Sequence, residues 1–332
     1  MEIIIITPAA PGSKAGNRAT AERWKWLLEG EGHRVSVMTE YHGEPCDAFV
    51  ALHAWRSHGA IQSFRRCWPS TPLVVALTGT DIYYHQKKYP RETLAAMDAA
   101  DVLIGLHDLV VQDIPLQYSS KLVTVFQSAD VGLREPIEAE DGAPFRICVI
   151  GHLRDEKDSL RAALAARLLP LVSRIQVICV GKPHNSQWQN AAEKEMRENS
   201  RFQWLGELEK PELKKLMVDS RLMVISSIME GGANVVSEAC RAGLPVIASD
   251  IPGNQGLLGD DYEGYYPVGD EHTLAALLRR AESDPSFLKK LAHQVDELAP
   301  KFTPENERHA LERALALAIQ RCPRQRQGHL GN

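Results

Sequence analysis

A chain of 332 residues, 44% hydrophobic and 24% charged, has the composition of a globular protein, and its length suits two domains better than one core. Its formal charge of −5 argues against a nucleic-acid binder or an anionic-membrane binder. No apolar run approaches the ~20 residues of a spanning helix, and residues 1–8 have neither the length nor the charge of a signal peptide.

Six cysteines (Cys46, Cys67, Cys148, Cys179, Cys240 and Cys322) are scattered without a CxxC or CxxxC pair. They read as core thiols rather than zinc ligands, and the expected compartment is the cytoplasm. Short β-branched runs alternate with helical patterns along the chain. Strands are expected at 3–7, 34–39, 48–52, 73–77, 102–106 and 122–126, then at 146–150, 175–180, 202–204, 222–226, 246–248 and 265–268. Helical stretches between most of them imply parallel sheets with right-handed crossovers. A polar segment bracketed by prolines, 133–144, marks a join. The reading is an α/β protein of two Rossmann-like domains, 1–135 and 145–300, facing across a cleft. A final helix over 301–322 could pack back on the first domain, and the tail 323–332 reads as disordered.

Five groups could carry chemistry. After the first strand comes a small-residue loop, Pro8-Ala9-Ala10-Pro11-Gly12-Ser13-Lys14-Ala15-Gly16-Asn17-Arg18, before a helix expected near Ala19. It spells neither GxGxxG nor a Walker signature. Lys14 and Arg18 could meet an anion there, or the loop could be ordinary and exposed. His53 ends the third strand, followed by Trp55 and Arg56, and Thr78-Gly79-Thr80-Asp81 ends the fourth. That second group could bind hydroxyls or phosphate, although Asp81 could equally cap a turn.

In the second half, Gly151-His152-Leu153-Arg154-Asp155-Glu156-Lys157 follows a buried strand. Arg154 and Lys157 could converge on a diphosphate, or pair with the acids beside them. Last comes Glu230-Gly231-Gly232-Ala233-Asn234-Val235-Val236-Ser237-Glu238, where a strand gives way to a helix. Helix N-terminal amides favour a diphosphate, and Glu238 lies about 9 Å further along, within reach of ribose hydroxyls. Glu238 pairing with Arg241 or Arg161, and Glu230 capping the helix, are the simpler alternatives.

Together these residues resemble the GT-B glycosyltransferases that use nucleotide sugars and carry an E-x7-E motif, here Glu230 and Glu238. Gly151 to Lys157 is similar to that family's G-R-L-x-x-x-K, residues 202–208 to its F-x-G-x-(V/L) strand, and residues 264–270 to its closing G-x-x-x-P-x-G-D turn. The resemblance implies a donor site of Gly151, His152, Arg154, Lys157, Leu208, Gly231, Gly232, Ala233, Asn234 and Glu238, with Glu230 at the donor sugar. It departs at His152, where the family has arginine, at Thr78, where many members have histidine, and at Gln255-Gly256, where a glutamate is usual.

The combination of Thr7-Pro8, Pro11-Gly12-Ser13, Gly16-Asn17-Arg18, Leu52-His53-Ala54 and Leu77 to Asp81 with Gly151-His152-Leu153-Arg154 and Glu230 to Glu238 is similar to the selenosugar synthases of selenoneine biosynthesis. That narrower resemblance implies transfer of a sugar from a UDP-sugar such as UDP-N-acetylglucosamine to selenophosphate, forming a carbon–selenium bond. The acceptor's phosphate then calls for Gly12, Ser13, Lys14, Gly16, Asn17, Arg18, Thr78, Gly79, Thr80 and Asp81. Glu230, Lys157, Arg154 and His53 are the catalytic candidates. UDP-sugar and selenophosphate are the expected partners, with no cofactor and no metal. A glycosyltransferase acting on a hydroxyl acceptor, a nucleotide-sugar epimerase and a non-catalytic nucleotide-sugar binder are the alternatives. A nicotinamide oxidoreductase is disfavoured, since no GxGxxG follows a strand.

Overall fold

The computed structural model describes residues 1–13, 15–130 and 142–322. Lys14, most of the proline-bracketed join and the tail from 323 lie outside the described residues. The chain divides into two α/β units. Unit 1 is Met1–Gln127 with the segment from Pro304 onward, and unit 2 is Ser128–Thr303.

Unit 1 carries six parallel strands: β1 (Glu2–Ile6), β2 (Arg34–Met38), β3 (Ala48–Leu52), β4 (Leu73–Ala76), β5 (Val102–Gly105) and β6 (Leu122–Thr124). They lie in the order β2-β1-β3-β4-β5-β6. Its helices are α1 (Gly16–Glu29), α2 (His58–Cys67), α3 (Gln86–Lys88), α4 (Pro90–Ala99) and α5 (Val110–Asp113), with the last helix of the chain described below.

β1 shows why this sheet is covered twice. Side chains alternate along a strand, so Ile3 and Ile5 enter one core with Trp24, Leu27 and Val50. Ile4 and Ile6 enter another with Phe49, Ile61 and Phe64. A run of four isoleucines is therefore the signature of a strand buried on both faces.

Unit 2 repeats the plan with β7 (Phe145–Ile150), β8 (Ile175–Val180), β9 (Phe202–Trp204), β10 (Leu222–Ile225), β11 (Val246–Ser249) and β12 (Tyr265–Tyr266). Their order is β12-β11-β10-β7-β8-β9. Its helices are α6 (Arg161–Arg167), α7 (Ser186–Glu198), α8 (Lys210–Asp219), α9 (Asn234–Arg241), α10 (Pro252–Leu258), α11 (Glu271–Ser283) and α12 (Pro285–Leu298). Helix α13 (Pro304–Arg321) belongs to unit 1, where Leu311, Ala314, Leu315 and Ala318 join the core holding Trp24. Its Glu307, 1% exposed, accepts from the Trp24 indole at 2.7 Å and from Arg23 Nε at 2.8 Å.

All twelve expected strands are present, most of them ending one or two residues early. Two helical expectations change. α1 begins at Gly16, not near Ala19, so Gly16, Asn17 and Arg18 form its first turn. The Thr78–Asp81 segment is no isolated turn: it leads into a π-helix, Asp81–His85.

No helix among the described residues is long and apolar enough to cross a membrane.

Candidate active site

In parallel sheets the loops at strand carboxyl ends form the ligand-facing edge. In unit 2, neighbouring strands β7 and β10 bring the Gly151–Lys157 loop and the Ser226–Ala233 loop side by side. Backbone-directed bonds then tie them. Ser226 Oγ reaches the carbonyls of Lys157 at 3.0 Å and Asp158 at 2.9 Å, and the Ile228 amide donates to Glu156 O at 2.9 Å. The Lys157 ammonium and the Glu230 carboxylate form a short ion pair, and Ser227 Oγ donates to the same carboxylate oxygen. The lysine stem passes over Gly151, where an added β-carbon would sit 3.7 Å from Lys157 Cδ.

Behind Glu230 lies a support absent from the sequence reading. A β-carbon on Gly253 would fall 2.2 Å from the Glu230 carbonyl oxygen, so α10 approaches this loop only because residue 253 is glycine. Asn254 donates to Ser249 O at 2.9 Å, and Ser249 Oγ donates to Ser227 O at 2.5 Å. The Pro-Gly pair at 252–253 marks a turn in sequence, but the close approach is a tertiary fact.

Beyond Gly231 and Gly232, α9 opens with Ala233 at its N-cap. No side chain caps it and no acid lies in its first turn. Its N-terminal end therefore favours an anion through free amides and the helix dipole. Asn234 Oδ1 and Ser237 Oγ are buried there without a hydrogen-bond partner. Glu238 stands half-buried one turn on. Arg161 is engaged with Asp158 and Glu271.

Arg154 and Lys157 do not converge. Arg154 Nε lies 3.7 Å from Glu156, while Lys157 is turned to Glu230. Arg154 Nε is buried without a hydrogen-bond partner. His152 accepts from the Lys182 amide at 3.3 Å; burial holds its imidazole below the ordinary value, against the opposing charge of Glu207. Leu208 is half-buried on the loop after β9.

In unit 1 the adjacent strands β1, β3 and β4 bring three loops to one edge. The first turns at Gly12, whose φ of +77° suits glycine, and Ser13 Oγ accepts from the Ala15 amide at 3.1 Å. Arg18 is 9% exposed. One of its terminal nitrogens pairs with Glu22, while Nε and Nη1 are buried without a partner. α1 has no capping side chain and no acid in its first turn.

The second and third loops hold a polar network. His53 adopts φ +74°, a left-handed conformation that costs a non-glycine residue on the order of 1–3 kcal/mol. It places Nδ1 2.7 Å from Asp81 Oδ1 and Nε2 3.2 Å from Thr80 Oγ1. Asp81, 1% exposed, also accepts from the amides of Ala54 at 2.9 Å, Trp55 at 3.0 Å and Thr78 at 3.0 Å, and from the Thr78 hydroxyl at 3.0 Å. Burial pushes its carboxyl upward, but the bond and charge of His53 and the surrounding amides outweigh it and hold the group below its usual range. The oxygens of Asp81 are spent inside the protein, holding the turn as the simpler sequence alternative had it.

His85, which the sequence reading missed, lies beside this pair. It is stacked on Trp55 at 4.3 Å, with Nδ1 3.9 Å from Asp81. Burial, then the charge of His53, holds it below the ordinary histidine value. His53, Asp81 and His85 place three ligand-type atoms within 4.8 Å of one another, a group that no sequence spacing announced. The bonds already made to Asp81, above all the 2.7 Å contact from His53, favour a histidine–aspartate dyad over a metal centre.

Residues 134–302, just over half of the chain, match the family described as glycosyl transferases group 1. The chain belongs to that family. Lys157, Glu230 and Glu238 of this group 1 glycosyltransferase fall inside the match, whereas Arg18, His53 and Asp81 fall outside it. Among solved structures it is similar to Anabaena HepE in complex with UDP and glucose, at 16% identity and TM-score 0.74, covering 95% of this chain and 99% of that one. Sucrose-phosphate synthase from Thermosynechococcus elongatus is similar at 16% identity and TM-score 0.75, covering 94% and 97%. The pneumococcal O-GlcNAc transferase GtfA in complex with UDP and GlcNAc is similar at 18% and 0.61, covering 82% and 57%. At these identities the likeness establishes the fold: GT-B, two Rossmann-like units.

Proposed function

We propose that this chain transfers a sugar from a UDP-sugar, such as UDP-N-acetylglucosamine, to selenophosphate, forming a carbon–selenium bond. Family membership supports the transfer, and the UDP complexes of HepE and GtfA support a UDP-sugar donor. On this reading the diphosphate takes the α9 N-terminus with the Gly231 and Gly232 amides. It also draws Lys157 away from Glu230, freeing that carboxylate for the donor sugar, while Glu238 takes the ribose hydroxyls. The ion pair seen here is then the resting state, with the carboxylate holding the place of the diphosphate charge.

The observation that carries the acceptor half is Arg18. A buried guanidinium that keeps two unpartnered nitrogens beside its pair with Glu22, in the open first turn of a helix, has donors left for a second anion. A phosphate-bearing acceptor supplies one, whereas a plain sugar does not. Gly12, Ser13, Gly16 and Asn17 line the same loop, and Lys14, Thr78, Gly79 and Thr80 complete the proposed acceptor set. Selenium in selenophosphate is anionic near neutral pH, so it attacks the anomeric carbon without a base.

The His53–Asp81 dyad favours a second reading, transfer to a hydroxyl, because an alcohol needs its proton removed. Incubation with UDP-sugars plus selenophosphate, thiophosphate or plain sugars, followed by weighing the products, separates the two. A selenium-containing sugar product is expected. UDP release that occurs only with hydroxyl acceptors would sink the proposal. Lys157→Ala and Glu230→Ala are each expected to lower turnover by on the order of 100-fold.

A further inference from the structure

The Glu230 carboxylate is held through one of its two oxygens. The Lys157 ammonium and the Ser227 hydroxyl both reach Oε1, and no described residue bonds to Oε2. Glu230 is 8% exposed. A carboxylate this buried depends on its hydrogen-bond donors, and the donor that stays with Oε1 decides where Oε2 points.

A ligand acts differently on the two donors. Lys157 lies on the loop after β7 and its side chain is partly exposed, so a diphosphate at the α9 N-terminus competes with Glu230 for it. Ser227 is fully buried, and its hydroxyl has Glu230 as its partner. The bonds behind Ser227 run in one direction. Ser249 O can only accept, so the Asn254 group 2.9 Å from it is the amide nitrogen, which also lies 3.1 Å from Ser249 Oγ. Ser249 Oγ, accepting from Asn254, sends its own proton to the Ser227 carbonyl. The Ser227 hydroxyl then donates to Glu230, because an ionised carboxylate only accepts.

Ser249 and Asn254 are fully buried as well. Ser249 ends β11, the neighbour of β10, and Asn254 lies in α10 beside Gly253, which meets the Glu230 backbone. Helix α10 thus fixes Glu230 twice. Its main chain is met through a missing β-carbon, and its carboxylate through a row of three buried side chains.

We infer that Ser227 is a positioning residue for sugar transfer: it keeps Glu230 Oε1 once a donor diphosphate has drawn Lys157 away, and so leaves Oε2 aimed at the donor sugar. This rests on the donor half of the proposed function and holds for any acceptor. Without the hydroxyl, departure of Lys157 leaves a buried carboxylate with no partner, free to turn about its side-chain torsions. A carboxylate that turns no longer meets the charge developing at the sugar. Because Ser227 acts through Glu230, its loss falls on kcat rather than on donor binding.

Turnover is measured as UDP release by the full-length protein with UDP-N-acetylglucosamine and selenophosphate, and UDP binding by titration calorimetry. Ser227→Ala is expected to bind UDP with unchanged stoichiometry and within about 3-fold of the wild-type affinity, while kcat falls about 10- to 100-fold. Ser249→Ala, which loosens the Ser227 main chain, lowers kcat by a smaller factor. A double-mutant cycle decides between positioning and general damage. In Glu230→Gln the sugar has lost its carboxylate oxygen, and adding Ser227→Ala is expected to cost less than about 2-fold more. A wild-type kcat in Ser227→Ala overturns the inference. So does a Ser227→Ala loss as large in Glu230→Gln as in the wild type, which is what a disturbed fold gives. If UDP is released only with hydroxyl acceptors, selenophosphate fails as the acceptor, and the same cycle run on those acceptors decides on Ser227 in the same terms. No UDP release with any acceptor removes the transfer reading and the role of Ser227 together.

Discussion

Arg18 illustrates how one side chain can imply a ligand class. Charge-assisted bonds to a buried guanidinium are worth roughly 1.5–3 kcal/mol each. Arg18→Gln is therefore expected to raise the half-saturating selenophosphate concentration about 10- to 100-fold and to move that for the UDP-sugar far less. Steady-state kinetics with each substrate varied in turn checks this, and equal shifts in both would count against an acceptor role. His107 gives a prediction independent of function. It is fully buried, its Nε2 lies 3.2 Å from the Tyr83 hydroxyl, and Tyr83 donates to Asp113 at 3.0 Å. Burial drives its pKa down to about 4. The folded state thus resists a proton that the unfolded chain accepts near pH ~6.5. Stability is full above that pH and is lost as pH falls toward about 4, by a total of about 3 kcal/mol. Denaturant titrations at pH 7 and pH 4.5 should show a smaller acid loss in His107→Gln than in wild type. An identical loss in both would refute the assignment. The identity of Arg18, His53 and Glu230 as polar residues at strand ends was plain from sequence. The partners of His53 and Glu230 were not, because a contact such as His53 to Asp81 joins segments that follow different strands.

Elements carry the next level of argument. Helix α10 lies against the Glu230 loop through Gly253, whose missing β-carbon leaves room for a backbone oxygen. Gly253→Ala forces one of them to move, and overpacking of this kind costs about 1–3 kcal/mol. The expected outcome is a fold retained by circular dichroism with transfer lowered at least ~10-fold, since the displaced carbonyl belongs to Glu230 itself. Full activity in that variant would show the contact to be slack. Helix α13 docks on unit 1 through Leu311 and Leu315 and through the buried Glu307. Removing that carboxylate leaves the Trp24 indole and Arg23 without their acceptor. Glu307→Ala is expected to cost about 3 kcal/mol, read as a lower denaturation midpoint. The helix was legible as an amphipathic pattern, yet the sequence left open which surface it covers.

At the scale of the whole molecule, the two units have separate cores, and a ligand proposed for one should stabilise that one. A ligand at a hundredfold excess over its Kd adds about 2.7 kcal/mol to the state it binds. UDP is therefore expected to slow hydrogen exchange in β10 and α9 more than in α1, with the effect reduced in Lys157→Ala. Uniform protection, or none, would argue against the donor seat on unit 2. Twelve strands could be placed from sequence because strands buried on both faces are written as unbroken apolar runs, such as Ile3 to Ile6, bounded by turn residues. The strand-to-helix junction after β10 was legible for a similar reason: two glycines between a strand and a helix are a local signal. Only the tertiary structure could decide that Lys157 rests on Glu230, that Arg154 turns elsewhere, and that Asp81 is consumed in orienting His53. Those choices depend on which side chains meet after strands distant in sequence become neighbours, and on burial, which makes each buried polar group find a partner within reach.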